Sequence, residues 1–417
     1  MKKIGKYSFG LGDRFGHQGR AQLKAIMTAE KKGVEITPVW NKSNREHIII
    51  GTHPGQVRHE AAAAVNDLNF KRSYFVDADH VNSDTVDRFI DSSDFFTVDV
   101  ASCIGKRARS DEINAFVANT SKYTGELKVP GIKNPMKVSK SMLEDIAEKY
   151  LFAVFKAGEI YRKIEKAKGR DNFVTEVSMD EVPAPQTPVE LFFILKMMGD
   201  HNIPLQTIAP KFSGRFNKGV DYVGDPDDFA AEFEADLLVT DLAIKEFDLP
   251  GNLKLSIHSG SDKFSLYTHI GSLMRKHDKG IHIKTAGTTW LEEYIGLAEA
   301  GGGALDFVKE IYVMSLQKME ELCAPYADVI DIKATALPTV EEVKRWNGKK
   351  MAAAVRHIPD NPHFIPDMRQ LIHVSYKLAA MNMEKFTSLL NEHEEVISKG
   401  VFENIYTRHI CRLFGID

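Results

Sequence analysis

Short apolar, β-rich runs alternate with longer helical segments through most of this chain, and that alternation limits its possible folds more than any other feature. Eight runs stand out: KYSFGL, VEITPVW, SYFVDA, FFTVDV, FVTEVSM, LQTIAPKF, LKLSIHS and IHIKTAG, beginning near residues 6, 34, 73, 95, 173, 205, 253 and 281. Helical patterns such as 55–68, 226–247 and 289–300 lie between them. Thr187-Pro188-Val189-Glu190 sets a capping hydroxyl before proline at the first helical position, with Glu three residues on. Asp225-Pro226-Asp227-Asp228 and Thr289-Trp290-Leu291-Glu292 read as similar starts. Mostly apolar strands alternating with helices form a parallel sheet covered by those helices. Eight such units predict an α/β fold, a closed (β/α)8 TIM-like barrel; a doubly wound open sheet is the alternative.

Two segments exceed a simple barrel. Residues 105–172 contain the long helical pattern LEDIAEKYLFAVFKAGEIYRKI and read as an inserted helical subdomain suited to a lid. Residues 303–417 read as a C-terminal helical extension packed on a barrel spanning 1–302. Composition narrows the class further. The net charge of −4 is spread along the chain, and the one basic cluster, Lys106-Arg107-Ala108-Arg109, lacks interleaved aromatics. It reads as a solvated loop, so no nucleic-acid partner is expected. Cys103, Cys323 and Cys411 are odd in number and far apart, which suits neither disulfides nor a zinc ribbon and fits a reducing, cytoplasmic setting. No apolar signal core follows the N-terminus, and no run approaches the roughly 20 apolar residues of a membrane span.

In a parallel barrel, ligands bind at the C-terminal ends of the strands, and polar residues that end apolar runs are the informative ones. Here they include Asp13 and Arg14, Asp77, Asp79 and His80, Asp99, Glu176, Asp180 and Glu181, Lys211, His258, and His282 and Lys284. Period 2 places Asp77 with Asp79, Ser256 with His258, and His282 with Lys284 on shared faces. Buried charge is costly unless it is paired or bound to metal. Ionisable groups at seven of eight strand ends therefore predict one shared active site.

Within LSIHSGSDKFS, His258 alone would more often be structural, with Ser261 capping a helix from about Asp262 and Gly260 permitting the turn. The same turn can bind an anion through backbone N–H groups, with Ser259, Ser261 and Lys263 as contacts. Thr285-Ala286-Gly287-Thr288-Thr289 repeats the design. Histidines mixed with carboxylates suit a divalent Zn, Mn, Ni or Co. GLGDRFG lacks the βαβ context of a dinucleotide fingerprint, so no nicotinamide is expected. His373, on a helical pattern, reads as a core histidine.

FGLGDRFG, DADHV, EVSMDE, KGVDYVGD, LSIHSGSDKFS, HIKTAGT and RQLIHVSY occur in the order found in the tagaturonate epimerase family. The chain resembles that family from residue 7 to about 377. It departs at Asp99-Val100-Ala101-Ser102-Cys103, where an Asp-Pro-Ser-Asp-His type sequence is common, and at Lys211, where an arginine can stand. The resemblance implies a metal-dependent interconversion of tagaturonate and fructuronate, or of a related keto-uronate. It moves His373 into the site, giving Glu176, His258 and His373 as metal ligands with His80 as a fourth candidate. The inverted carbon lies one bond too far from the ketone for α-proton abstraction, which favours retro-aldol cleavage and re-addition. Asp79 or Asp13 would move the hydroxyl proton. Arg14, Lys211 and Lys284 would hold the carboxylate and hydroxyls, with Thr285 beside them. A metal-dependent aldolase and a non-enzymatic sugar-acid binding protein are the alternatives.

Overall fold

The structure, a computed structural model, describes residues 2–285 and 288–416. Its strands are β1 (Tyr7–Gly12), β2 (Ile36–Ser43), β3 (Phe75–Val81), β4 (Phe95–Asp99), β5 (Gly125–Leu127), β6 (Met136–Val138), β7 (Val174–Ser178), β8 (Thr207–Ala209), β9 (Lys254–Ile257) and β10 (Ile281–Thr285). Eight of them close a parallel barrel in the order β1-β10-β9-β8-β7-β4-β3-β2, and these are the eight predicted runs. Ala286 and Gly287, at the end of the last run and inside the predicted second anion-binding turn, lie outside the described residues.

Period 2 sorts the strand residues into layers. Leu11, Val76, Val98, Val177, Leu255 and Ile283 join the large core shared with the surrounding helices. Val39, Phe75, Phe95 and Val174 form with Ile4 a separate small apolar cluster. Two residues further along the same strand faces come Asn41, Asp77, Thr97 and Glu176. Polar side chains thus fill the barrel from that plug to its C-terminal mouth.

The predicted helix starts divide. Thr187 Oγ1 accepts from Glu190 N while Glu190 Oε2 accepts from Thr187 N, and Asp225 accepts from the amides of Asp227 and Asp228. Thr289 does not cap. Its helix begins one residue earlier, at Thr288, and its hydroxyl donates to Gly12 O at 2.6 Å. Ser261 is no cap either: the helix Phe264–His277 begins later than expected, and Asp221 from another loop accepts from Ser265 N and Oγ.

Residues 105–172 hold a helix at Ser110–Thr120, the β5–β6 hairpin and the 29-residue helix Lys140–Lys168. That long helix buries Leu143, Ala147, Leu151, Val154 and Tyr161 along one stripe, and Lys149 and Tyr150 bond Glu190 of the next helix. It serves as the crossover from β4 to β7. None of the segment's residues lines the cleft described below, so a lid from this segment gains no support. The helices after Gly302 cover the flank formed by Thr288–Ala300, and Pro325, Tyr326 and Val329 reach over the barrel mouth. Among the described residues, no helix is long and apolar enough to cross a membrane.

Candidate active site

Lys284, on β10, sits in a cage of acids. Its Nζ lies 2.8 Å from Asp77 Oδ2, 2.8 Å from Asp79 Oδ1 and 3.3 Å from Glu176 Oε1, and donates to Thr97 Oγ1 at 2.6 Å. All four partners are buried. Burial opposes the ammonium charge, but the three carboxylates outweigh it and hold the lysine pKa well above its ordinary value. In return, Asp79 drops to about 2 against its own burial. Asp77 is pushed up to about 6 by burial and by Asp79 and Glu176, with Lys284 opposing.

His80 enters the same space through a break in β3. Strict alternation would turn it away from Asp77 and Asp79. The β3–β4 register shifts between Ala78 and Val81, and His80 takes φ +51°, a left-handed conformation uncommon for a side chain of this size. Its ring then stands 4.9 Å from that of His258, with Nδ1 3.2 Å from Asp99 Oδ2. Burial works against protonation, yet Asp79, Asp99 and Asp180 carry its pKa up to about 10.

His258 follows β9. Its Nε2 meets Glu176 Oε1 at 2.7 Å, and its Nδ1 lies 3.2 Å from Asp180 Oδ1 without hydrogen-bond alignment. Asp180 also accepts from Ser178 Oγ at 2.5 Å. His80, Asp180 and His258 offer ligand atoms all within 4.8 Å of one another; His80, Asp99 and Glu181 form a second such group. Two imidazoles with one carboxylate suit a divalent cation of borderline softness. The unaligned Nδ1 facing a carboxylate fits a cation between them, with Glu176 orienting the ring from behind. Glu176 and His373, both predicted ligands, belong to neither group. His373 is buried on the helix Pro366–Val374, and its carbonyl accepts from Arg14 Nη1. Asp180 was visible as a strand-end residue but not as a ligand, because nothing in its spacing from His258 or His80 relates the three.

Two connected cavities of about 270 and 520 Å³ share His258, Ser259, Asp180, Glu181, Arg45, Lys218 and Tyr326. The inner one reaches Asp79, His80, Arg14 and Lys284, and the outer one Lys211. Other predicted residues face elsewhere. Asp13 accepts from the amides of Gly16 and Gln18 and fastens its own loop. Thr285 Oγ1 donates to Gly10 O at 2.5 Å. Lys263 is buried, and its Nζ donates to the carbonyls of Asn217, Val220 and Ser261. Two amides of the Ser259–Lys263 turn are already used: Gly260 N donates to Lys284 O and Asp262 N to His409 Nε2. Its glycine is not needed for φ: Ser259 and Asp262 take the positive angles, at 49° and 62°. Gly260 is there for space, because a Cβ would stand 2.9 Å from Ile283 Cγ2 and 3.1 Å from Ile257 O.

The sequence matches the tagaturonate epimerase family along residues 1–413. The chain belongs to that family. It is accordingly an enzyme of the isomerase class. It is 27% identical over 427 residues to the tagaturonate/fructuronate epimerase of Thermotoga maritima, a match covering 98% of this chain and 81% of that protein. The native crystal structure of the fructuronate-tagaturonate epimerase UxaE from Cohnella laeviribosi superposes with a TM-score of 0.81 at 24% identity, covering 100% of this chain and 83% of that one. A form of the same protein complexed with two glycerols gives 0.82. Both superpositions speak to the barrel fold of this family member.

Proposed function

We propose that the cleft interconverts D-tagaturonate and D-fructuronate, or a closely related keto-uronate, by retro-aldol cleavage and re-addition assisted by a divalent cation. Support comes first from the convergence of His80, Asp180 and His258 beside the caged Lys284 in one cleft. Family membership supplies the substrate class. A divalent cation held by His80, Asp180 and His258 would supply Lewis-acid polarisation of the ketone oxygen.

The protein's own groups do the rest. Counting from the hydroxymethyl end, the ketone is C2 and the inverted centre C4. Asp79, which lines the inner cavity as Asp13 does not, takes the C4 hydroxyl proton. The C3–C4 bond breaks, C4 becomes an aldehyde, and the bonding pair enters the C2–C3 enediolate. Lys284, held as an ammonium by its acid cage, faces that developing negative charge from a fixed position. The same cage keeps Lys284 from acting as a neutral amine, which disfavours a Schiff-base route through it. After the aldehyde turns its other face, C3 adds back to C4, and Asp79 returns the proton to the alkoxide. Ser259 and Lys211, on the cleft wall, contact substrate hydroxyls during the turn.

The test is NMR of metal-loaded protein with D-tagaturonate in deuterated water. Fructuronate should form without deuterium at the inverted carbon. Deuterium there means proton exchange instead, and accumulating three-carbon products mean an aldolase. If His258→Ala keeps its metal and its turnover, the cation assignment is wrong.

A further inference from the structure

The cleft's cations are unequally committed. Arg14, the predicted carboxylate contact, donates through Nε to Glu46 at 2.8 Å and through Nη1 to His373 O at 2.7 Å, with its plane 3.9 Å from the Tyr376 ring. Lys284 is already surrounded by carboxylates. Arg45 and Lys218 differ. Both line the inner and the outer cavity, and neither pairs with a carboxylate among the described residues. Arg45 makes one long bond, 3.5 Å to Pro325 O, and stands 4.7 Å over the Tyr326 ring.

Lys218 is presented by a fastened loop. Its own amide donates to Val329 O. The carbonyls on either side are taken by buried cations: Asn217 O and Val220 O by Lys263 Nζ, and Gly219 O by Arg369 Nε at 2.6 Å. Arg369 is itself anchored to Asp262 Oδ2 at 2.7 Å. The backbone of this stretch is thus fixed while the Lys218 side chain is left to the cleft. The inner cavity is also lined by Asp79, Asp180 and Glu181 with His80 and His258. An anionic substrate group is repelled by those carboxylates and drawn to the two cations that no carboxylate neutralises.

We propose that Lys218 and Arg45 together bind the carboxylate of the substrate and determine the choice of a uronate over a neutral ketose. The assignment rests on the keto-uronate reading above and deepens it. With the carboxylate held by these two cations, the carbons that react are left to His80, Asp180 and His258 in the same cleft. Lys263 and Arg369 act as positioning residues for the loop that presents Lys218.

The test compares D-tagaturonate with D-tagatose, in which a hydroxymethyl group replaces the carboxylate. Affinities are measured by titration calorimetry on the metal-loaded full chain, using tagaturonate equilibrated with its epimer wherever a variant is active. Lys218→Met and Arg45→Met should each lower the preference for the uronate roughly 10- to 100-fold, seen in turnover mainly as a higher KM. Lys218→Arg should recover most of it. The proposal is overturned if the preference is unchanged, or if tagatose binding falls by the same factor. A wild-type protein that prefers the uronate yet does not epimerise it would sink the reaction and leave this clamp standing.

Discussion

At the scale of single residues, the site depends on where charge is neutralised. Lys284 answers the buried carboxylates of Asp77, Asp79 and Glu176 at the floor of the inner cavity. Lys284→Met should therefore destabilise the protein by about 3–5 kcal/mol in urea unfolding, because it strands buried carboxylates. His258→Ala should keep the fold but lose bound metal and nearly all turnover, as read by metal analysis and the epimerisation assay. Glu176→Gln should weaken metal binding about 10- to 100-fold, since Glu176 orients His258 through Nε2. Residue types and strand-end positions made Glu176, His258 and His80 legible as candidates. The aim of His80 was not legible, for it depends on a register shift in β3 that period 2 alone would deny. Arg45 and Lys218 left no signal either, since a cation becomes informative only when its neighbours are found to leave it unpaired.

At the scale of elements, the turn after β9 shows how local chemistry and tertiary contact diverge. A serine-glycine-serine turn before a helix predicts a cap and exposed amides. Here Asp221 binds the first turn of the helix instead, and His409 and the Lys284 carbonyl take the amides of Asp262 and Gly260. Gly260→Ala should cost about 1–3 kcal/mol in unfolding free energy through contact with Ile283 and Ile257 O, although φ at this position is not left-handed. Lys263→Met removes the donor shared by Asn217 O and Val220 O. Its expected signature is a raised KM for the keto-uronate with bound metal retained; loss of metal together with turnover would show that the loop supports His80, Asp180 and His258 instead.

At the scale of the whole molecule, the C-terminal helices bind to the barrel through buried histidines and ion pairs. His357 and His409 flank Asp262 and Arg369, and Arg408 bonds Glu292 at 2.7 Å. Burial, with help from Arg369 and Arg408 and against Asp262, lowers His357 to about 3 and His409 to about 4. An unfolded histidine titrates near about 6.5. The stability these two confer is therefore complete above that pH. It is lost as pH falls toward their folded values, because only the unfolded chain takes up the protons. Each should remove about 1.5 kcal/mol between pH 6.5 and 5. Urea unfolding at both pH values reads the slope, and His357→Gln should reduce it by one histidine's share. A slope unchanged by that substitution would place the acid sensitivity elsewhere.

Alternating strand and helix patterns, together with capping residues such as Thr187 and Asp225, were enough to predict a parallel α/β fold with the barrel as its first reading, and the polar strand ends gathered at one mouth. Both follow from local preferences and from the need of apolar strands to be covered on both faces. Motif order was enough to place the chain in its family. Tertiary structure alone decided which polar strand ends come together, that Asp180 gathers with His80 and His258 while His373 does not, and that Asp13 and Lys263 are spent on backbone groups. Those outcomes depend on distances of a few ångströms between residues dozens to hundreds of positions apart, set by a register shift in β3 and by the loops and C-terminal helices that close over the barrel.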